Sequence, residues 1–110
     1  MSTLASAFPE LVAEVGAALA AEGRGDLVPQ LEAGVIDRCT YDPSADAGYI
    51  YLVRPRPSPH FEKLAAPVLE TIPFLAVGFN VDIDHDGHLF GIELLSRKDF
   101  FAKLRRVNAL

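Results

Sequence analysis

Asp82, Asp84 and Asp86, then Gly87 and finally Glu93, have the spacing of a twelve-residue calcium loop, with Leu89 at the apolar position after the turn. In such a loop alternating carboxylates and a terminal bidentate glutamate wrap a hard cation, and the glycine permits the sharp turn. His85 and His88 lie in the same stretch and suggest a second chemistry, a transition-metal clip of two imidazoles with Asp84 and Asp86 nearby. The flanking elements decide between metal and no metal. A calcium loop joins two helices. Here the incoming TIPFLAVGFNV contains Pro73, Gly78 and several β-branched or aromatic residues, and the exit FGIELL puts Gly91 where the second helix would begin.

A β-hairpin accounts for more of the pattern. With Asp86-Gly87 at the centre of a type I′ turn, His85 faces His88, Asp84 faces Leu89, Ile83 faces Phe90 and Asp82 faces Gly91. Val81, Asn80 and Phe79 then face Ile92, Glu93 and Leu94. Ile83/Phe90, Val81/Ile92 and Phe79/Leu94 form one apolar side, and Asn80, Asp82, Asp84 and Glu93 form the other. A slip of one residue would drive the acids into the core. On this reading Asp82, Asp84 and Glu93 keep a hairpin face wet, and a loosely held cation on that face is the secondary reading. His85 and His88 are then exposed turn residues.

Cys39 is a lone cysteine in a β-like segment with no histidine in sequence reach, so it reads as a small buried hydrophobe and not as a nucleophile. Asp42, Pro43 and Asp46 form a turn in which aspartate bonds the following backbone, in preference to a catalytic acid pair. Tyr49 and Tyr51 share the strand face opposite Ile50 and Leu52 and are candidates for a binding surface. No phosphate-binding glycine loop, nucleophile elbow or basic–aromatic interleaving is present. No catalytic or cofactor-binding residue is assigned, and no cofactor is expected.

The elements that must position these residues read as an α+β fold in one domain, 1–110. Residues 1–34 form a helical hairpin. Its first helix, 9–22, carries Leu11, Val12, Val15, Ala18 and Leu19 on one face and ends at Gly23; a second, shorter helix is capped by Asp26 and closed by Gly34. Residues 35–95 form a four- or five-stranded antiparallel sheet: VIDRCTY and YIYLV pair as a hairpin, PVLETI is a short strand, and FLAVGFNVDID and HLFGIELL are longer ones. The Pro-rich connection 54–67 contains a helical stretch, HFEKLAA, capped by Ser58 with Pro59 in its first turn. Residues 96–110 form a C-terminal helix opened by the capping box of Ser96 and Asp99, with Phe100, Leu104 and Val107 facing the sheet.

The net charge of −5 disfavours nucleic acid as a partner. Five basic residues cluster after position 96, as suits the C-terminal turns of a helix. No apolar run reaches the roughly 20 residues that span a bilayer, and the N-terminus lacks the basic start of a signal peptide. With one cysteine there is no internal disulfide. A cytoplasmic protein without a membrane partner is expected. Half the residues are hydrophobic and mean hydropathy is +0.21, high for a small acidic chain with much surface to keep wet. A homodimer is therefore expected, with Tyr49, Tyr51, Leu89 and Leu95 as its interface candidates.

YDPSADAGYIYL and NVDIDHDGHLFGIELL together resemble the small bacterial proteins grouped as domain of unknown function 2283. The resemblance rests on Tyr41, Asp42, Pro43, Asp46, Ala47, Tyr49 and Ile50, then on Val81, Asp82, Asp84, Gly87, Gly91, Ile92, Glu93 and Leu95. Gly48 departs from it, since the family usually has leucine there. The resemblance implies a small antiparallel sheet with a helix after its last strand, and no activity. The reading that follows is a non-catalytic structural or protein-interaction module. A metal-binding protein using the acidic hairpin 82–93 is the alternative, and a small hydrolase-like enzyme the third.

Overall fold

In the computed structural model, which describes residues 2–55 and 68–109, five strands form one antiparallel sheet in the order β1-β2-β5-β4-β3. They are β1 (Ile36–Asp42), β2 (Ala47–Leu52), β3 (Val68–Phe74), β4 (Phe79–Asp84) and β5 (Leu89–Leu95). The expected helix HFEKLAA, with Ser58 and Pro59, and most of the connection 54–67 lie outside the described residues. No described helix is long and apolar enough to cross a membrane.

The helical N-terminus has one more element than expected. A single turn, α1 (Leu4–Ala7), is capped by the Thr3 hydroxyl and precedes α2 (Pro9–Ala21). It was hidden because four residues are too few to show a helical period. Leu11, Val15 and Leu19 of α2 are fully buried, and Gly23 ends the helix region at positive φ. Before α3 (Val28–Ala33), Asp26 lies in a 3-10 turn and pairs with Arg24 instead of capping the helix.

The stretch 74–84, expected as one strand, divides. β3 runs to Phe74, a 3-10 turn spans Leu75–Val77, and Gly78 takes a left-handed φ of 77° before β4. A Cβ at Gly78 would lie 2.7 Å from the Leu95 carbonyl. Glycine is therefore needed there both for its φ and for the close approach.

The last helix, α4 (Lys98–Ala109), starts two residues after Ser96. Ser96 adopts φ 56°, and the Asp99 carboxylate is held by Arg97 instead of closing a capping box. Arg97 also binds Glu14 and the Val77 carbonyl, tying α2 and the β3–β4 turn to the start of α4.

Side chains alternate across the sheet. One side presents Ile50, Leu52, Phe79, Val81, Ile83, Leu89, Ile92 and Leu94, all buried in one cluster with Phe8, Leu11, Leu31, Phe100, Phe101 and Leu104 from the helices. Phe8 and Phe100 meet edge to face, joining the N-terminal helices to α4. A Cβ at Gly48 would overlap the Leu104 side chain. Glycine at position 48 thus lets α4 pack directly against the β2 backbone.

Candidate functional site

Opposite the helices, the strand registers set two rows of side chains across the sheet. Arg38, Tyr51, Gly91, Asp82 and Thr71 form one; Thr40, Tyr49, Glu93, Asn80 and Pro73 form the next. The described helices all pack on the other side. Tyr49 leans across β5 because Gly91 has no side chain: a Cβ there would strike the Tyr49 ring and come within 2.5 Å of the Ile50 carbonyl. The phenol donates to Asp82 Oδ2 at 2.5 Å, and the Thr71 hydroxyl donates to Asp82 Oδ1 at 2.5 Å. This chain of contacts reaches from β2 to β3. Burial, then the Asp82 hydrogen bond, raises the Tyr49 pKa well above the usual phenol range. Tyr49 is thus a neutral donor.

Tyr51 stacks beside Tyr49 with ring centroids 4.5 Å apart, and the exposed Arg38 guanidinium sits 3.8 Å above its ring. Phe90 joins the two tyrosines at 5.9 and 6.4 Å through a bulge. The hairpin register is as expected from Phe79/Leu94 to Asp82/Gly91, but Ile83 then pairs with Leu89 and not with Phe90. Phe90 is the extra residue, and the bulge turns it onto the tyrosine side and Leu89 into the core. The type I′ turn is corrected for the same reason. His85, Asp86 and Gly87 form a three-residue loop, Gly87 alone has positive φ, and Asp84 N–H bonds the His88 carbonyl.

Asp84, expected on the wet face of this tip, is only 4% exposed. It accepts the N–H groups of Asp86 and His88, each at 2.9 Å, and the Arg54 guanidinium at 2.8 Å. Burial opposes its ionisation, but the His88 N–H, Arg54 and the Asp86 N–H together hold its pKa below the usual carboxylate range. Gln30 of α3 clamps the tip from the helix side through the Leu89 N–H and the Gly87 carbonyl. Asp84 therefore organises the loop from within. Asp82 is engaged by two hydroxyls and Glu93 accepts the Asn80 amide at 2.9 Å. Among the described residues no three His, Cys, Asp or Glu side chains gather as metal ligands. His88 Nδ1 stands 3.7 Å from Asp84.

Residues 38–97 match the family model described as Protein of unknown function (DUF2283). The chain belongs to that family. No curated protein and no solved structure matches it. The DUF2283 segment contains the whole tyrosine side from Arg38 to Leu95, and Tyr49, Asp82, Gly91 and Glu93, four residues that carried the resemblance, meet there.

The remaining candidates separate. Leu95 is half-buried beside Ala47, in the next row of the tyrosine side, whereas Leu89 is 3% exposed and packed under the helices, so it adds no exposed surface. The Asp42 carboxylate accepts the Ser44 N–H and hydroxyl, which makes the Pro43 turn, and Asp46 closes that turn at φ 51°. Cys39 is buried, and desolvation pushes its thiol up to about 11. The cleft beside it, about 440 Å³, is lined by Thr40, Tyr41, Pro43, Leu104 and Arg105. Sequence reasoning missed Arg38, Arg54, Thr71 and Phe90. The readable signal was for Arg38 and Thr71: period-two alternation in their strands puts both on the tyrosine side.

Proposed function

We propose that this chain is a non-catalytic protein-interaction module that docks through the tyrosine side of its sheet, with a homodimer as its first assembly. The observation that carries the reading is the residue set on that side: Tyr49, Tyr51 and Phe90 in mutual contact beside an exposed arginine. Tyrosine and arginine are the residues that dominate binding energy at protein interfaces, because each buries apolar area while keeping a directional polar end. Asp82 and Glu93 on the same surface oppose a polyanion, which speaks against nucleic acid. The Tyr49–Asp82 pair is a donor bonded to its acceptor and supplies no activated nucleophile. A bacterial cytoplasm is the setting this reading takes from the family resemblance and the single cysteine.

Photo-crosslinking in the native cell tests it. A photoreactive residue in place of Thr40, on the tyrosine side, is expected to give discrete protein adducts, and one in place of Glu22, at the end of α2, is expected to give none. Equal labelling from both positions, or none from Thr40, would overturn the reading.

A further inference from the structure

The tyrosine side is polarised. Its exposed cation, Arg38, is on β1, at one end of its row; Asp82 is on β4 and Glu93 on β5, and Arg54, 4.4 Å over the Phe90 ring, is already paired with Asp84. Neither carboxylate has a basic side chain within 4 Å among the described residues, and Arg38 has no carboxylate there. Both carboxylates are hydrogen-bonded, but a partly buried charge also gains from an opposite charge, and neither has one there.

One operation brings the opposite charges together. From this polarity we infer that the tyrosine side binds a second copy of the chain about a two-fold axis that runs parallel to the strands, between β2 and β5. This rests on the interaction reading above and names its partner and geometry. The operation exchanges β1 with β4 and β2 with β5 while keeping each row opposite itself. Arg38 of one copy then opposes Asp82 of the other, and Thr40 opposes Asn80. Tyr51 opposes Gly91, over which the Tyr49 ring of that copy lies, so that tyrosine rings of the two copies meet, and Tyr49 opposes Glu93 in the next row. A two-fold axis perpendicular to the strands would instead lay β1 on β1 and bring Arg38 towards Arg38. Sheets packed face to face lie about 10 Å apart, a spacing these side chains span. An isologous contact of this kind closes on itself and stops at two copies.

Light scattering with two charge-reversed variants tests the geometry. The native chain is expected to scatter with twice its 11.9 kDa mass at micromolar concentration. Arg38→Glu and Asp82→Lys are each expected to weaken the dimer by about 30-fold or more, since each puts like charges together at two symmetric places. Mixed in equal amounts they are expected to restore it, because in the mixed pair both contacts join opposite charges. Near-ultraviolet circular dichroism of each variant shows whether it is folded. If Asp82→Lys fails to fold, Glu93→Lys with Tyr51→Asp replaces it as a disruption test, and a dimer unaffected by both overturns the proposal. A native mass of 11.9 kDa at all concentrations also overturns it, including the case in which residues 56–67 of the same chain occupy this side. With such a monomer, crosslinks from position 40 to another protein would leave the interaction reading standing. A dimer that survives Arg38→Glu, with no crosslinks from position 40, would remove both.

Discussion

On the helix side of the sheet, Ile50, Val81, Ile92 and Leu94 are completely buried against α-helices supplied by the same chain. On the other side, in the same strands, Tyr49, Tyr51, Asp82 and Glu93 are only half-buried and contact one another through rings and hydrogen bonds. The first side has to match volume alone, since an apolar side chain has no bonding group to satisfy. The second has to match hydroxyls, carboxylates and guanidinium groups to partners one by one. A surface built in that way has selected its neighbours before any partner arrives. Rigid, pre-paired side chains lose less entropy on docking than free ones.

The largest effect is expected where the comparison is simplest. Phe79→Ala on the helix side is expected to cost about 4 kcal/mol, and Tyr51→Ala on the other side less than about 1 kcal/mol when measured on the monomer by urea unfolding. Equal costs would break the contrast between a packed side and a docking side. Next, Asp84→Ala is expected to cost about 3 kcal/mol, because it leaves Arg54 and two loop N–H groups without an acceptor. The sign with pH follows from the lowered pKa of Asp84 in the fold. Its contribution is present above the unfolded carboxylate value of about 3.9 and is lost as pH falls through the folded one. The gap between native and variant stability, followed by acid titration, should therefore close below about pH 4; a gap that persists would place the Asp84 effect elsewhere.

How much of this could be read from the chain depends on which physical signal each element carries. The base of the β4–β5 hairpin was legible because three alternating apolar pairs leave only one register. Its tip was not, because Asp-Gly fits both a two-residue turn and a three-residue loop ending in a left-handed glycine. The choice falls to Asp84, whose carboxylate binds the loop N–H groups from inside, and to Gln30, from a helix 59 residues away from Leu89 in sequence. Phe90 was assigned to the core for the same reason: one extra residue in β5 reverses the side it faces. The pairing of β2 with β5 joins segments about forty residues apart, and nothing local announces it. The break at Gly78 was visible as a glycine, but the apolar run on either side outweighed it.

The two sides also use glycine differently, which makes a sharper comparison with a smaller effect. Gly48, on the helix side, excludes a Cβ mainly through the flexible end of Leu104. Gly91, on the tyrosine side, excludes it through the Tyr49 ring and the Ile50 carbonyl, which is backbone. Gly48→Ala is expected to cost about 1 kcal/mol after Leu104 shifts, and Gly91→Ala about 2 kcal/mol, by thermal unfolding. The reverse order would mean that Tyr49 does not lie across β5.

The smallest effect is spectroscopic and bears on that same ring. The Tyr49 phenol is shielded first by burial and then held by the Asp82 carboxylate, and both penalise the phenolate. A phenol whose folded pKa is raised favours the fold below the unfolded value near 10, and that contribution is lost as pH climbs towards the folded one. In an alkaline titration followed by tyrosinate absorbance, one of the three tyrosines should therefore ionise only as the protein unfolds. Tyr49→Phe should remove that late step, at a stability cost of about 1 kcal/mol for the lost hydrogen bond. Asp82→Asn should move the step to lower pH while keeping the ring in place, since an amide oxygen still accepts the phenol but carries no charge against its ionisation. If all three tyrosines ionise together near pH 10 while the sheet remains folded, the Tyr49–Asp82 bond is absent. The tyrosine side would then hold a loose ring in place of a pre-set contact, and Tyr51 of a second copy would lose the fixed Tyr49 ring that it meets over Gly91.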